Sequence, residues 1–196
     1  VGVRNHVLVF PTVVCSASVA QKISAAVPGT VSVYHPHGCG HLGDDYDHML
    51  RTIVGFCSNP NVGGVLLVGL GCEQLTTGLL AGELAKTGQR VASLDIQDAG
   101  GTTAAITRGV ELARGLLSQT AADTRTPIDV SQLTLGMKCG GSDTLSGLTA
   151  NPATGVAADL LVAAGGTVLI TEVPEMIGAE QVLARFGEAG IDVEAL

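Results

Sequence analysis

Three cysteines of this sequence lie beside glycines, each in a loop that follows an apolar segment. Cys39 stands in "HGCG", Cys72 in "GLGCE" and Cys139 in "KCGG". Glycine lets the backbone turn sharply, which exposes a neighbouring thiol instead of burying it. Thiolates bind iron, singly or in clusters, and zinc, and three of them leave a coordination position where a substrate hydroxyl can be polarised. We therefore interpret these three as candidate metal ligands, whereas Cys57, inside a helical stretch, is expected in the core.

Histidines are concentrated around the first of these cysteines. Four of the five histidines in the chain fall between positions 35 and 48. His37 is a candidate metal ligand or general acid–base residue, and His35 shares its environment. His48 falls on a predicted helix and is expected at the surface. The loop around Cys39 is therefore a candidate site for metal or proton-transfer chemistry.

Glycine-rich turns precede several predicted helices and offer backbone N–H groups to an anion. Such turns occur at 100–102 and at 140–143. A third helix is predicted to open at "NP", with Asn151 as its N-cap and Pro152 in its first turn. These helix ends are candidates for binding a carboxylate.

Charged side chains near these turns could complete such a site. From their positions in the sequence, Arg4 and Lys138 are the best-placed cations to bind a carboxylate. Each is also compatible with an ordinary surface charge. Glu172 and Glu175, in "TEVPE", are compatible with acid–base chemistry or with a solvated loop.

A dinucleotide site is the alternative interpretation of one glycine-rich turn. Gly69 and Gly71, in "VGLGCEQLTTG", follow a predicted strand and precede a helix, as in a nucleotide-binding fingerprint. The third glycine of that fingerprint is replaced by Gln74, and Asp95 at the end of the next strand takes the place of the ribose-binding acid. The incomplete pattern keeps a nucleotide-binding regulatory module as a second hypothesis.

Apolar strands alternate with helical stretches along the whole chain. Strands are predicted at 6–10, 31–34, 65–69, 90–96, 133–137 and 166–172. Helices are predicted over about 16–26, 44–57, 75–87, up to 117, from 151, and from about 178. This alternation is typical of βαβ units, so we predict an α/β fold with a mostly parallel sheet and flanking helices, Rossmann-like and three-layered. The carboxyl ends of parallel strands share one edge, which brings the cysteine loops together.

Two units are predicted along the chain. Residues 1–120 form a Rossmann-like α/β domain, and a polar stretch at 121–130 that contains Pro127 is a linker. Residues 131–196 begin a second, smaller α/β unit that carries the "KCGGSD" motif. The chain begins almost at once on a strand, so we expect it to be a piece of a longer protein.

Composition excludes several classes of partner. The net charge of −8 argues against nucleic acid, whose phosphates need a basic footprint, and against an anionic membrane surface. No apolar run reaches about 18 residues, and we expect neither a membrane helix nor a signal peptide. The odd number of cysteines and the lack of a CxxC pair favour a cytoplasmic protein with free or metal-bound thiols.

The chain resembles a known family, the altronate/galactarate dehydratases, which include the large subunit of sulfolactate sulfo-lyase. The resemblance runs from residue 1 to about residue 185 and includes a specific block, "KCGGSD…SG…ANP". Its other stretches are "VGVRNHVLVFPTVVCS", "HPHGCG", "NPNVGGVLLVGLGCE" and "DAGGTT".

The resemblance implies an iron-dependent lyase that acts by β-elimination. A base removes the proton next to the carboxylate of a sugar acid such as altronate or galactarate, the β-hydroxyl leaves, and a 2-keto-3-deoxy acid forms. A sulfonate leaves instead if the substrate is sulfolactate. An N-terminal domain or a small subunit accompanies this region in the family, and a homo-oligomer is a further expectation.

Site residues follow from the same resemblance. The iron, as Fe²⁺ or an iron–sulfur cluster, is expected on Cys39, Cys72 and Cys139, with Cys15 as a fourth candidate ligand. The candidates for the base are His37, Lys138 and Glu73. The hydroxy-carboxylate is expected to contact Arg4, Asn5, Gly101, Thr102, Gly141, Ser142, Asp143 and Asn151.

Overall fold

The computed structural model of the chain describes residues 1–141, 143–179, 181–182 and 185. It divides into two compact units, Val1–Arg125 and Thr126–Leu196. Each unit is built around its own parallel sheet.

The first unit contains a sheet of four parallel strands. In spatial order they are β2, β1, β3 and β4. Because parallel neighbours cannot be joined by a tight hairpin, a helix crosses back between consecutive strands. The strands are β1 at His6–Pro11, β2 at Thr30–Ser32, β3 at Val62–Gly69 and β4 at Val91–Asp95.

Helices cover both faces of this sheet. They are α1 at Ala17–Ala26, preceded by a 3-10 helix at Val14–Ser16, α2 at Asp44–Cys57, α3 at Thr77–Ala85 and α4 at Thr102–Thr120. Helices α1 and α4 pack on one face, and α2 and α3 pack on the other. The predicted α/β class, with a parallel sheet and flanking helices, is confirmed.

Alternation along β1 explains why both faces need a helical cover. Val7 and Val9 point into the cluster with α1 and α4, whereas Leu8 and Phe10 point into the cluster with α2 and α3. All four side chains are buried. A strand that is apolar on both sides is stable only in the middle layer of three.

The second unit contains two parallel strands, β5 at Thr134–Met137 and β6 at Thr167–Ile170. Two helices, α5 at Thr144–Leu148 and α6 at Ala150–Ala163, connect them. Short 3-10 helices lie at Val130–Gln132 and at Val173–Met176.

Some predicted boundaries were wrong. Asn151 is not an N-cap: the helical region begins earlier because the Asp143 side chain accepts a hydrogen bond from Ser146 N and caps α5, and α6 follows after one residue. Helix α4 extends to Thr120, beyond its predicted end. Most of the helix predicted from about residue 178 lies outside the described residues. In the described part of the chain, no helix combines the length and apolarity needed to cross a bilayer.

Candidate functional site

Three of the cysteines lie in adjoining loops at the carboxyl edge of the first sheet. Cys15 follows β1, Cys39 follows β2 and Cys72 follows β3, and all three are exposed. The first two loops are joined by a hydrogen bond of 2.8 Å from Val14 N to His37 O. Parallel strands therefore gather these thiols at one edge, as expected from their positions.

The turn that carries Cys39 depends on the glycine before it. Gly38 has a φ of 123°, a value that side chains disfavour. A Cβ at this position would also overlap the backbone of Val13, just beyond β1. The "HGCG" turn thus fits closely against the loop that contains Cys15.

The neighbours of the Cys39 thiol influence its pKa. Partial desolvation raises the pKa of Cys39, and the thiols of Cys15 and Cys72 and the carboxylate of Glu73 raise it further. A cation in this loop cluster would reverse the effect, because it favours thiolate over thiol. The edge therefore has the donors for a soft cation.

Cys57, by contrast, is fully buried in the face of α2 that packs on the sheet. Burial raises the pKa of this thiol to about 12. It is a core residue, as the sequence indicated.

Glu73, a predicted base, is a buried carboxylate whose two oxygens are engaged. Oε1 accepts hydrogen bonds from Thr12 Oγ1 at 2.6 Å and Leu70 N at 3.2 Å, and Oε2 accepts from Gly71 N at 2.7 Å and Cys72 N at 3.0 Å. Burial raises the pKa of Glu73, but these hydrogen bonds outweigh it and lower the pKa overall. Such a group holds its loop and is a weak base.

The space above Gly69 is filled by acidic side chains. A Cβ on Gly69 would overlap both Asp95 Oδ1 and Glu73 Oε1. Asp95 Oδ2 in turn accepts a hydrogen bond of 2.9 Å from the Thr77 hydroxyl. A dinucleotide would place its pyrophosphate against this glycine-rich turn, so two carboxylates here disfavour nucleotide binding.

Aromatic and imidazole rings form a row beside the Cys39 turn. Ring centroids are 5.2 Å apart for Phe10 and His35, 6.3 Å for His35 and His37, and 5.6 Å for His37 and His41. His41 N also donates to Gln74 Oε1 at 3.1 Å, which ties this loop to the one after β3. An apolar cavity of about 310 Å³ lies next to His35 and His37.

Two predicted substrate contacts lie at the opposite edge of the sheet from the cysteines. Asn5 precedes β1, and its Nδ2 donates to Thr120 O at 3.0 Å and Asp123 Oδ2 at 3.1 Å. Arg4 Nη1 donates to Val3 O at 3.1 Å. The structure thus separates Arg4 and Asn5 from the thiols by the length of a strand, and their observed contacts are structural.

Gly101 and Thr102, two further predicted contacts, lie at the thiol-bearing edge. They begin α4 after β4, and Gly101 has a φ of 109°. The loop before them adjoins that of Cys72, since a Cβ on Gly71 would contact the Gln97 side chain. The N-terminus of α4 therefore opens at the same edge as the cysteines.

Cys139 belongs to the second unit, where its neighbours are carboxylates. Its ligand atom and those of Glu172 and Glu175 all lie within 4.8 Å of one another. Within the described ranges, no other group of three or more histidine, cysteine or acidic residues is this compact. Glu172 Oε2 also accepts a hydrogen bond of 3.1 Å from Cys139 N.

Lys138 lies beside this group. Its Nζ is 3.1 Å from Glu172 Oε1 and donates to Cys139 O at 2.8 Å. The hydrogen bond and charge of Glu172 raise the pKa of Lys138, so the side chain stays an ammonium group. It is therefore suited to bind an anion rather than to remove a proton.

A cavity of about 390 Å³ contains these groups. Its polar lining comprises Lys138, Cys139, Asn151, Thr154, Thr171, Glu172 and Glu175. Lys138, Cys139 and Asn151 were candidate site residues from the sequence, which also noted Glu172 and Glu175 as an acidic pair. Asp143 instead caps α5, the Gly141 carbonyl faces Cys139 Sγ at 3.7 Å, and Ser142 lies outside the described residues.

Sequence reasoning noted Glu172 and Glu175 but did not connect them with Cys139, and it missed Thr154 and Thr171. A usable signal was present. Cys139 lies two residues after β5 and Glu172 lies two residues after β6. Because these strands are parallel neighbours, their carboxyl ends had to place both residues together.

The two consecutive units have parallel strands, with three thiols at strand ends in the first and one in the second, and together they define an α/β protein. Residues 1–121 match the family described as "D-galactarate dehydratase/Altronate hydrolase, second domain". Residues 130–189 match "D-galactarate/Altronate dehydratase, C-terminal". The chain belongs to the D-galactarate dehydratase/altronate hydrolase family, which confirms the resemblance noted from its motifs.

Similar curated proteins agree with this assignment. The altronate dehydratase of Bacillus subtilis is 37% identical over 195 residues, covering 94% of this chain and 39% of that protein. That of Escherichia coli is 38% identical over 194 residues, covering 93% and 39%. The (2R)-sulfolactate sulfo-lyase subunit beta of Chromohalobacter salexigens is 36% identical over 184 residues, covering 94% and 46%. The chain thus spans less than half the length of these relatives.

Proposed function

We propose that this chain is part of an iron-dependent lyase that dehydrates a sugar acid, such as altronate or galactarate, to a 2-keto-3-deoxy acid. The dehydratase names of its relatives support the reaction class. The observation that carries the proposal is the compact group of Cys139, Glu172 and Glu175 beside the Lys138 ammonium. This pairs a cation site with an anion site in one cavity, as a hydroxy-carboxylate requires.

The donors of the second unit fit a single iron ion. One thiolate and two carboxylates are ligands that iron(II) accepts, and their ligand atoms are close enough to contact one ion. An iron–sulfur cluster is held mainly by several cysteine thiolates, and this group has one. We therefore assign iron to Cys139, Glu172 and Glu175, and the metal role of Cys15, Cys39 and Cys72 stays a prediction.

When bound, the iron would supply Lewis-acid polarisation of the substrate's hydroxyl or carboxylate. Lys138 binds the substrate carboxylate and stabilises the negative charge that develops when the neighbouring proton is lost. Asn151, Thr154 and Thr171 offer amide and hydroxyl groups for hydrogen bonds to the other hydroxyls of a polyol acid.

For the base, His37 stays the prediction. Lys138 is held as a cation and Glu73 is held by four hydrogen bonds, which leaves the exposed imidazole of His37 as the remaining candidate from the sequence. The C–H electron pair becomes the C=C bond of an enol, and the β-hydroxyl leaves as water with the proton that the base removed. The enol then gains a proton at carbon and loses the proton of its hydroxyl group, which gives the keto acid.

Sulfolactate is the second candidate substrate. Its support is the relative named as a sulfo-lyase subunit, and the elimination differs only in the leaving group. A nucleotide-binding module is disfavoured by the carboxylates beside Gly69. Since the relatives are more than twice as long as this chain, we expect additional segments or a subunit, and a second copy of the chain, to contribute to the active enzyme. The free thiols are compatible with a cytoplasmic location.

The test uses the full-length protein, purified and loaded with Fe²⁺ under anaerobic conditions. We expect bound iron and dehydration of altronate or galactarate, with sulfolactate as the comparison substrate. Cys139→Ser and Glu175→Gln should lose the iron and the activity, whereas Glu111→Gln, on the exposed side of α4, should keep both. Full activity without iron, or unchanged iron in both variants, would contradict the proposal.

Lys138 gives an independent check. Lys138→Ala should raise KM for the sugar acid at least tenfold, because the carboxylate loses its charged partner, and Lys138→Arg should recover part of the affinity. An unchanged KM in Lys138→Ala would remove Lys138 from the substrate site.

A further inference from the structure

Both ring nitrogens of His35 are engaged within the protein. Nε2 lies 2.6 Å from Pro11 O, at the end of β1, and Nδ1 lies 3.3 Å from His37 N. A carbonyl oxygen can only accept a hydrogen bond, so Nε2 carries the hydrogen. A backbone N–H can only donate, so Nδ1 is bare. These two partners define a neutral imidazole in the Nε2–H tautomer.

Packing holds the ring in this orientation. The His35 ring stacks on Phe10 with an interplanar angle of 26°, and the side chain is half-buried. A second connection, from Val14 N to His37 O at 2.8 Å, fixes the same loop to the segment after β1. Both backbone groups of His37 are thus linked to the end of β1. Its N–H reaches Pro11 through the His35 ring, and its C=O accepts directly from Val14 N.

We infer that His35 is a positioning residue that fixes the His37–Cys39 turn through its Pro11 and His37 contacts. It neither takes a proton from the substrate nor binds metal, because either role would break one of these contacts. The inference rests on the proposed function only in the role of His37 as base. The placement of the loop is independent of that role and can be measured without substrate.

Three substitutions separate the two contacts. His35→Gln places an amide N–H where Nε2 was and keeps the bond to Pro11 O. His35→Asn places a carbonyl oxygen where Nδ1 was and keeps the bond from His37 N. His35→Phe keeps the ring on Phe10 and loses both bonds.

The first measurement is the two-bond ¹H–¹⁵N spectrum of the histidine side chains at pH 8. We expect the Nε2–H pattern for His35 in the wild-type protein. The second is hydrogen exchange at the His37 amide. Its protection should fall about fivefold, the factor for one net hydrogen bond, in His35→Phe and His35→Gln, and should be restored in His35→Asn. If His35→Phe does not fold, the contrast between Asn and Gln decides.

An Nδ1–H pattern for His35, or equal His37 protection in the Asn and Gln variants, would overturn the inference. The activity of the full-length enzyme tests a different point. We expect His35→Phe to lower kcat while KM and the iron content stay unchanged. If the tautomer and exchange results are as expected but kcat is unaffected, the positioning of the loop stands and the prediction of His37 as base fails.

Discussion

The Thr12 hydroxyl donates a hydrogen bond of 2.6 Å to Glu73 Oε1, and both side chains are buried. Thr12 follows β1 and Glu73 follows β3, so this contact joins the carboxyl ends of two central strands. The remaining hydrogen bonds of Glu73 go to the backbone of its own loop, including Cys72 N. The carboxylate therefore holds the backbone of the loop that carries Cys72 at the sheet edge.

Replacing Glu73 by glutamine should destabilise the protein. The amide of Glu73→Gln cannot accept from all four donors, and one buried donor left without a partner costs about 1–3 kcal/mol. The free energy of unfolding in urea measures the loss. Glu83→Gln, which removes an exposed ion pair with Lys86, is the control and should change it by about 0.5 kcal/mol or less. Equal effects of the two variants would contradict the role of Glu73.

The same carboxylate predicts a pH dependence. Its pKa in the folded protein lies below the ordinary value of 4.5, so its contribution to stability is complete above that value and is lost as the pH falls through the folded pKa. Between pH 6 and 3, the wild-type free energy of unfolding should therefore fall more steeply than that of Glu73→Gln. The two curves should converge towards acid. A difference that stays constant or widens would mean that hydrogen bonding does not lower the pKa of Glu73.

A matched glycine pair on α4 tests the packing of the helical layer. A Cβ on Gly109 would overlap Ile23 Cδ1 of α1, a fully buried side chain, whereas a Cβ on Gly115 meets nothing within 4 Å. Gly109→Ala should destabilise the protein by about 1–3 kcal/mol through overpacking. Gly115→Ala should stabilise it by about 0.5–1 kcal/mol through helix propensity. Thermal unfolding measures both, and stabilisation by both would show that α1 can move away at no cost.

Thiol reactivity should separate Cys57 from Cys72. Burial raises the pKa of Cys57 to about 12, so at pH 8 it should resist iodoacetamide in the folded protein, whereas the exposed Cys72 reacts. Both residues fall in one tryptic peptide, 52–86, so mass spectrometry compares them under identical conditions. Denaturation should make the two rates similar. Rapid alkylation of Cys57 without unfolding would contradict its place in the core.

The sequence predicted well the helices and strands whose bounds follow from their hydrophobic pattern. It predicted less well those whose bounds depend on individual side-chain contacts. Helix α2 has the predicted bounds, because its apolar spacing and its acidic first turn are local signals. Strand β2 ends at Ser32, two residues earlier than predicted. The residues after Ser32 leave the sheet, and the His35 ring instead forms a hydrogen bond with the Pro11 carbonyl. The apolar pattern of the sequence does not predict a contact of this kind.

For the candidate site, the sequence predicted which residues reach strand ends but not which of them pair. Cys15, Cys39 and Cys72 adjoin because they follow parallel strands of one sheet. Glu73 looked like a base in the sequence, and only the four hydrogen bonds to its oxygens identify it as a support for the loop. Cys139 and Glu172 each follow a strand end by two residues, which the sequence can show, whereas the pairing of those two strands is seen only in the structure.

Strands β5 and β6 carry Cys139 and Glu172 independently of the segment that joins them. The register of the two paired strands sets the distance between Cys139 and Glu172. The segment of 32 residues between these two ligands can therefore become longer or shorter during evolution without moving either of them. This ligand pair therefore tolerates indels in the connecting helices, outside the part of α6 that carries Asn151 and Thr154. A cation-binding loop whose ligands are close together in the sequence would be disrupted by insertions or deletions of the same size.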